Sequence, residues 1–252
     1  MRLRLLDTGP SPAAFNMALD EAVLEAVARG DSPPSLRLYS WNPPAISIGY
    51  FQGMRDEIDL EACARLGVEA VRRATGGGAV FHDAEVTYSL VVPEGHALAP
   101  PDILESYRLI CAGLIEGLSL LGVEASFAPI NDLVSGGRKI SGNAQTRKRG
   151  CLLQHGTILL DVDVEKMFTL LLVPHEKLRG KLIEDVKSRV TGLRGILGRA
   201  VGYREAVDAL KKGFAQAWGA ELVGGEASAS ELTRTAELSR EKYATEAWRM
   251  RR

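Results

Sequence analysis

Residues 68–83 read Val68-Glu-Ala-Val-Arg-Arg-Ala-Thr-Gly-Gly-Gly-Ala-Val-Phe-His-Asp83, with three consecutive glycines between an arginine pair and a His-Asp pair. Val68 to Val71 has strand composition and Ala79 to Phe81 opens another strand, so the glycines join two strands. Glycine has no Cβ and tolerates positive φ, so such a run lets backbone N–H groups converge on a ligand that side chains would hold away. A plain hairpin turn also uses glycine, but it needs none of Arg72, Arg73, His82 and Asp83. The segment reads as an anion-binding loop.

Outward from the loop, strands and helices mix without a regular β-α-β-α alternation. Upstream, Leu3 to Leu6 is a strand, and Ser11 caps a helix that starts at Pro12 and carries Phe15, Leu19, Val23 and Val27 on one stripe before Gly30 stops it. Leu36 to Tyr39 and Ala45 to Ile48 read as a hairpin about Asn42-Pro43-Pro44, followed by a short helix from Ile58 to Leu66 that buries Cys63. Downstream, Val86 to Val92 is a strand, and a helix between Pro101 and Leu121 buries Cys111. Short strands follow at Val123 to Phe127, Asp132 to Val134, Lys139-Ile140 and Gly156 to Val162, with helices at Val164 to Val173 and Tyr203 to Trp218. Gly224 to Ser230 reads as a loose connection to a charged helical end. Hairpins with helices between them predict an α+β fold with a mixed, largely antiparallel sheet flanked by helices. We expect one catalytic domain over 1–252, with 225–252 a helical appendage.

The chain has 252 residues, 46% hydrophobic and 25% charged, with a formal charge of −1. That is enough for a substantial core, and the near-neutral balance argues against a global nucleic-acid or membrane-surface role. No apolar run approaches the roughly 18 residues of a membrane span, and charge interrupts the N-terminus too soon for a signal peptide. A cytoplasmic protein is expected. Three cysteines without CxxC spacing indicate neither a disulfide framework nor a zinc site.

A second chemical cluster runs from Asn131-Asp132 through Gly136-Gly-Arg-Lys-Ile-Ser-Gly-Asn-Ala-Gln145 to Arg149. Gly137 and Gly142 have the separation of a phosphate loop, but Asn143-Ala144 replaces its Lys-Ser/Thr, and no G-x-G-x-x-G follows a strand. Lys139, on a strand between glycines, is placed to meet a carboxylate or phosphate. Asp132 offers a carboxylate to a Mg²⁺ ion, and His155 lies at a strand end. Cys151 follows Arg147-Lys148-Arg149 after Gly150, and nearby positive charge would favour a thiolate, so it is the alternative nucleophile. The basic run, with Arg138, is a candidate docking patch for an acidic carrier.

Together, Arg72 to Asp83, Asn131-Asp132, Arg138 to Gly142 and His155-Gly156-Thr157 resemble lipoate–protein ligase A, in the family's order, over Phe15 to Thr191. Lys242 to Trp248 is similar to the ends of its short members, which lack the C-terminal accessory domain. The resemblance implies the biotin/lipoate ligase-like fold. It also implies an enzyme that joins lipoic acid to ATP as lipoyl-AMP and passes the lipoyl group to a lysine of a lipoyl carrier domain. Such carriers are 2-oxoacid dehydrogenase E2 subunits or the glycine cleavage H protein, and a small accessory subunit is implied for activation. Lys139 would be catalytic. Arg73, Thr75, Gly76, Gly77, Gly78, His82, Asn131, Ser141, Gly142 and His155 would hold the acyl-adenylate, and Asp132 would place Mg²⁺. The rival within the same superfamily is a cofactor-independent octanoyl or lipoyl transferase working through a cysteine thioester. His82-Asp-Ala-Glu-Val-Thr-Tyr-Ser89 resembles the transferases more than the ligases. Those transferases, however, carry their cysteine just before the lysine strand, where this chain has Phe127-Ala-Pro-Ile-Asn-Asp132, and commonly replace the third glycine by arginine, where this chain keeps Gly78. On these two departures the ligase is expected over the transferase.

Overall fold

The computed structural model describes residues 1–172 and 179–251. In chain order its strands are β1 (Arg2–Ser11), β2 (Ser35–Trp41), β3 (Ala45–Ile48), β4 (Glu69–Arg72), β5 (Val80–His82), β6 (Glu85–Pro93), β7 (Ser126–Ala128), β8 (Asp132–Ser135), β9 (Arg138–Lys148), β10 (Cys151–Leu159) and β11 (Glu221–Gly225). Its helices are α1 (Ala13–Arg29), α2 (Met54–Glu57), α3 (Leu60–Leu66), α4 (Ile103–Leu120), α5 (Val164–Leu170), α6 (Arg179–Arg189), α7 (Leu193–Leu197), α8 (Tyr203–Trp218), α9 (Ala229–Leu238) and α10 (Glu246–Arg249).

Eight strands form one sheet in the order β11-β1-β2-β6-β10-β9-β8-β7, and β4-β3-β5 form a second, smaller one. In the large sheet β1 runs parallel to β2 and β11, while the remaining pairs are antiparallel. The α+β expectation therefore describes the molecule. Leu36, Leu38, Tyr88, Leu90 and Leu152 pack on one face of the sheet against Ile110 and Leu114 of α4 and Leu210 and Phe214 of α8. On the other face Leu19, Val23 and Val27 of α1 cover Leu6, Val91 and Leu153. Helices on both faces explain why β6 and β10 are buried along nearly their whole length, polar residues included. Among the described residues no helix is long and apolar enough to cross a membrane.

Five local readings need correction. The expected hairpin at Asn42-Pro43-Pro44 is a crossover: β2 stays in the large sheet, while β3 enters the small one beside β4 and β5. Two prolines without N–H groups interrupt any ladder that would fold β3 back on β2. Ser11 ends β1 instead of capping α1; Pro12 is the cap residue, and the Ala13 N–H donates to Glu69 of β4 at 2.6 Å. Gly224 to Ser230 is not a loose connection. Gly224 and Gly225 pair with β1, and Ser228 and Glu231 form a reciprocal capping box at α9. Helices α6 and α7 were not anticipated; α6 buries no side chain, so no apolar period announces it. The expected helix to Val173 is α5 up to Leu170, and its last residue lies outside the described residues.

The segment after Gly225 packs on the fold. Glu231 is buried against Arg4 at 2.6 Å, and α9 lies along α1. Arg72 donates to the carbonyls of Gly49, Tyr50 and Gln52 and to those of Trp248, Arg249 and Arg251. Its guanidinium is spent on tying the C-terminal segment to the small sheet.

Candidate functional site

A cavity of about 170 Å³ opens between the glycine loop and the β9–β10 hairpin. Ser47, Arg73, Gly77, Gly78, His82, Asn131, Lys139, Gly142, Asn143 and His155 line it, with Met17, Tyr39, Trp41, Ala79 and Val80 as apolar walls. A second lobe of about 390 Å³ shares Ala79, Val80, Lys139, Gly142 and Thr157 with it and extends over Glu85, Leu159 and Met167. Lys139 and Gly142 thus stand at the junction of the two lobes.

The loop is held by its neighbours more than by its own flexibility. Arg73, buried, donates from Nη2 to the carbonyls of Gly76 and Gly78 at 2.9 and 2.7 Å and from Nη1 to the carbonyl of Ser47 at 3.1 Å. Burial lowers its pKa to about 10. Arg73 therefore shapes the loop, and Arg72 turns away from the cavity altogether. Only Gly77 requires glycine: its φ is +100°, and a Cβ there would meet Arg73 Nη2 at 2.9 Å. A Cβ added at Gly76 or Gly78 would meet nothing within 4 Å. Gly77→Ala is expected to cost about 1–2 kcal/mol from left-handed backbone alone, whereas Gly78→Ala leaves the melting temperature unchanged; equal melting curves for both would disprove this account of the loop.

Two hydroxyl–imidazole–carboxylate relays flank the cavity. In the first, Ser47 Oγ lies 2.7 Å from His82 Nε2, and His82 Nδ1 lies 2.7 Å from Glu85 Oε1. Trp41 stacks on the His82 ring with centroids 4.0 Å apart, and its indole N–H donates to Thr87, whose hydroxyl donates to Glu85 Oε1. Glu85 Oε2 is buried without a partner among the described residues. In the second, Thr75 Oγ1 lies 2.7 Å from His155 Nε2, and His155 Nδ1 lies 3.3 Å from Asp20 Oδ2. Asp20 is anchored in turn by Arg37 at 2.8 Å and the Tyr39 hydroxyl at 3.1 Å. Thr75 stands behind His155, outside the cavity lining.

Burial pushes the His155 pKa below its ordinary 6.5, against the opposing pull of Asp20. The unfolded chain then takes up a proton first as pH falls, so this group costs nothing above about pH 6.5 and increasingly destabilises the fold below it. The drop in melting temperature between about pH 7.5 and pH 5.5 is expected to shrink in His155→Asn, because the substituted side chain does not titrate there. An undiminished drop would assign the acid sensitivity elsewhere.

The second cluster divides. Lys139 Nζ pairs with Asp132 Oδ1 at 2.7 Å at the partly exposed mouth of the site. Asp132 itself does not line the first cavity, and among the described residues no group of three His, Cys, Asp or Glu could hold a metal ion. The carboxylate expected to place Mg²⁺ is paired with the Lys139 ammonium. Asn131 and Asn143 interlock: Asn131 donates to the Asn143 carbonyl, Asn143 Nδ2 donates to the Asn131 carbonyl at 2.8 Å, and Asn143 Oδ1 accepts from the Tyr88 hydroxyl at 2.7 Å. Ser141 is buried on β9 and outside the lining.

Cys151 does not reach the site. It is 1% exposed among Leu24, Val91 and Leu153, and it precedes His155 by four strand positions, roughly 13 Å. Burial and the Glu94 carboxylate raise its thiol pKa, the reverse of the activation expected from the adjacent basic run. Cys63 and Cys111 are equally buried, with burial pushing their thiols up to about 11 and about 12. In the expected docking patch Arg147 donates to the Pro100 carbonyl and Arg149 pairs with Glu25 at 3.2 Å, while Lys148 and Arg149 stay exposed. Arg138 lies ten strand positions from Lys148, roughly 33 Å away.

Ser47, Glu85, Asp20 and Asn143 were not singled out from sequence. Glu85 lies in the stretch that resembles the transferases, which was the one available signal.

The family model described as the lipoyl protein ligase A/B catalytic domain matches residues 12–215. The chain is 44% identical to the octanoyltransferase LipM of Kyrpidia tusciae, covering 99% of this chain and 98% of the relative, and 38% identical to the octanoyltransferase LipM of Bacillus subtilis over similar shares. The first alignment spans 271 positions, more than the 252 residues of this chain, so the relative carries residues without a counterpart here. Among solved structures, a bipartite lipoate protein ligase described with its E2 lipoyl domain, from Thermoplasma acidophilum, superimposes with a TM-score of 0.90 at 30% identity, covering 99% and 96% of the two chains. A lipoate-protein ligase A bound with ATP gives 0.86 at 29%, covering 99% of each chain. The neighbours share the fold, but the more similar relatives over nearly full length are octanoyltransferases. That finding overturns the expected ATP-dependent ligase and favours the transferase weighed against it.

Proposed function

The chain belongs to the lipoyl protein ligase A/B catalytic-domain family, and from that premise we propose that it transfers an octanoyl group, without ATP, from a carrier-protein thioester to the ε-amine of a lysine on a lipoyl carrier domain. The observation that carries the reading is the 44% identity, end to end, with an octanoyltransferase.

The site suits that reaction. The apolar walls at Met17, Trp41, Ala79 and Val80 accept an alkyl chain whose carbonyl end meets Lys139 at the junction of the lobes. A thioester is already activated, so the carboxylate–triphosphate repulsion that a ligase must overcome does not arise, and an accessory subunit for activation has no step to serve. The developing oxyanion is stabilised by the Lys139 ammonium, and Asp132 holds that side chain in place before substrate arrives.

The test is direct. Purified protein, octanoyl-loaded acyl carrier protein and a lipoyl domain are mixed without ATP, and the domain is weighed by mass spectrometry. One octanoyl group per domain is expected; a strict requirement for ATP, with pyrophosphate release, would refute the proposal.

A further inference from the structure

A transferase that holds its acyl group between two carriers needs a nucleophile in the cavity, and none of the three cysteines lines it. A hydroxyl does. Ser47 Oγ lies against His82 Nε2 at 2.7 Å, both side chains line the cavity, and Glu85 Oε1 holds the far side of the ring at 2.7 Å. With the Nδ1 proton directed at Glu85, Nε2 is the acceptor. Arg73 Nη1 donates to Ser47 Oγ at 3.0 Å, which leaves the hydroxyl proton to point at Nε2 and puts a cation beside the oxygen. Nucleophile, base and orienting carboxylate are thus in hydrogen-bond sequence, the arrangement that activates a hydroxyl for acyl transfer. The second relay is the weaker candidate, because Thr75 is outside the lining and Asp20 stands 3.3 Å from its imidazole.

The geometry points to Ser47 as the acyl-accepting nucleophile of this enzyme, with His82 as its base and Glu85 as the residue that positions the ring. This rests on the transferase reading above. In the first half, Ser47 Oγ attacks the thioester carbonyl carbon as its proton passes to His82 Nε2. The C–O bond forms, the C–S bond breaks, and the proton moves on to the leaving sulfur, which departs as a thiol. In the second half, the neutral lysine amine attacks the ester carbonyl. The C–N bond forms, the C–O bond breaks, and one amine proton returns through His82 to Ser47 Oγ. Electrons and protons balance, and no cofactor is needed.

The experiment exposes the protein to octanoyl-loaded acyl carrier protein without acceptor, then maps the adduct by digestion and mass spectrometry. The expected adduct is a single octanoyl group on the Ser47 peptide that survives neutral hydroxylamine, as an oxygen ester does. Ser47→Cys keeps an adduct at the same position and makes it hydroxylamine-labile, because it becomes a thioester. Ser47→Ala carries none, and Cys151→Ser carries the wild-type adduct. An adduct on any cysteine overturns the assignment. So does wild-type transfer with no adduct and intersecting initial-rate lines, which would mean direct passage from donor to lysine. Wild-type protein that transfers nothing without ATP would instead sink the transferase reading itself, and the two failures are told apart by the acceptor assay alone.

Discussion

Lys139→Ala is expected to lower the rate of octanoyl transfer by roughly 10²–10³-fold, the usual cost of one lost oxyanion donor. Among the described residues two cationic side chains, Arg73 and Lys139, line the cavity, and they are not equivalent. Arg73 spends its donors on Gly76, Gly78 and Ser47 and stays fixed. Lys139 carries a flexible ammonium whose one recorded ion pair is with Asp132, at a part-exposed position where a substrate carbonyl can exchange for that carboxylate. Because the side chain is part-exposed and its ion pair lies near the surface, its removal costs little stability. Melting temperature is therefore expected to hold while kcat falls. Lys139→Arg is not expected to rescue, since a planar fork does not occupy the place of a compact ammonium beside Gly142, where even an added Cβ would come within 2.9 Å of Nζ. Near-wild-type kcat in Lys139→Ala would remove the residue from the reaction.

How far the sequence carries depends on whether a feature is local. The glycine loop, the cap at Gly30 and the α8 stripe are set by residues a few positions apart, and each was legible. Arg72 and Arg73 show where this stops. Strand alternation sends neighbouring side chains to opposite faces, so one of the two had to face the loop, but only the packing of the C-terminal segment on Arg72 decides which. The relays are less local still. Ser47 is a polar residue inside an apolar strand, and it meets His82 only because β3 and β5 pair antiparallel across a sequence separation of 35. Asp20 and His155 are joined across 135. Cys151 failed for the opposite reason: its basic neighbours suggested activation, while alternation along β10 placed its thiol beneath α1 with Leu153. The space beside Gly78 accepts a Cβ, so the packing of the loop does not by itself demand glycine there.

Glu85→Gln is expected to lower transfer by about 10³–10⁴-fold, on the scale seen when the carboxylate that orients a catalytic imidazole becomes an amide. Glu85 Oε1 accepts from both His82 Nδ1 and the Thr87 hydroxyl, and the Trp41 indole holds Thr87 in turn, so the carboxylate fixes the ring's tautomer as well as its tilt. An amide placed there offers an N–H to one of those donors, and either the imidazole turns its proton toward Ser47 or the ring loses its anchor. It also leaves the imidazolium formed during transfer without a counter-charge. Stability should move the other way. Glu85 Oε2 is a buried carboxylate oxygen without a partner among the described residues, and a buried charge left partly unpaired is a cost to the fold, so the amide is expected to melt at or above the wild-type temperature. Loss of activity with unchanged or raised stability is what separates a positioning carboxylate from a structural one. If Glu85→Gln instead lowers the melting temperature and keeps kcat, Glu85 supports the sheet and His82 is oriented without it.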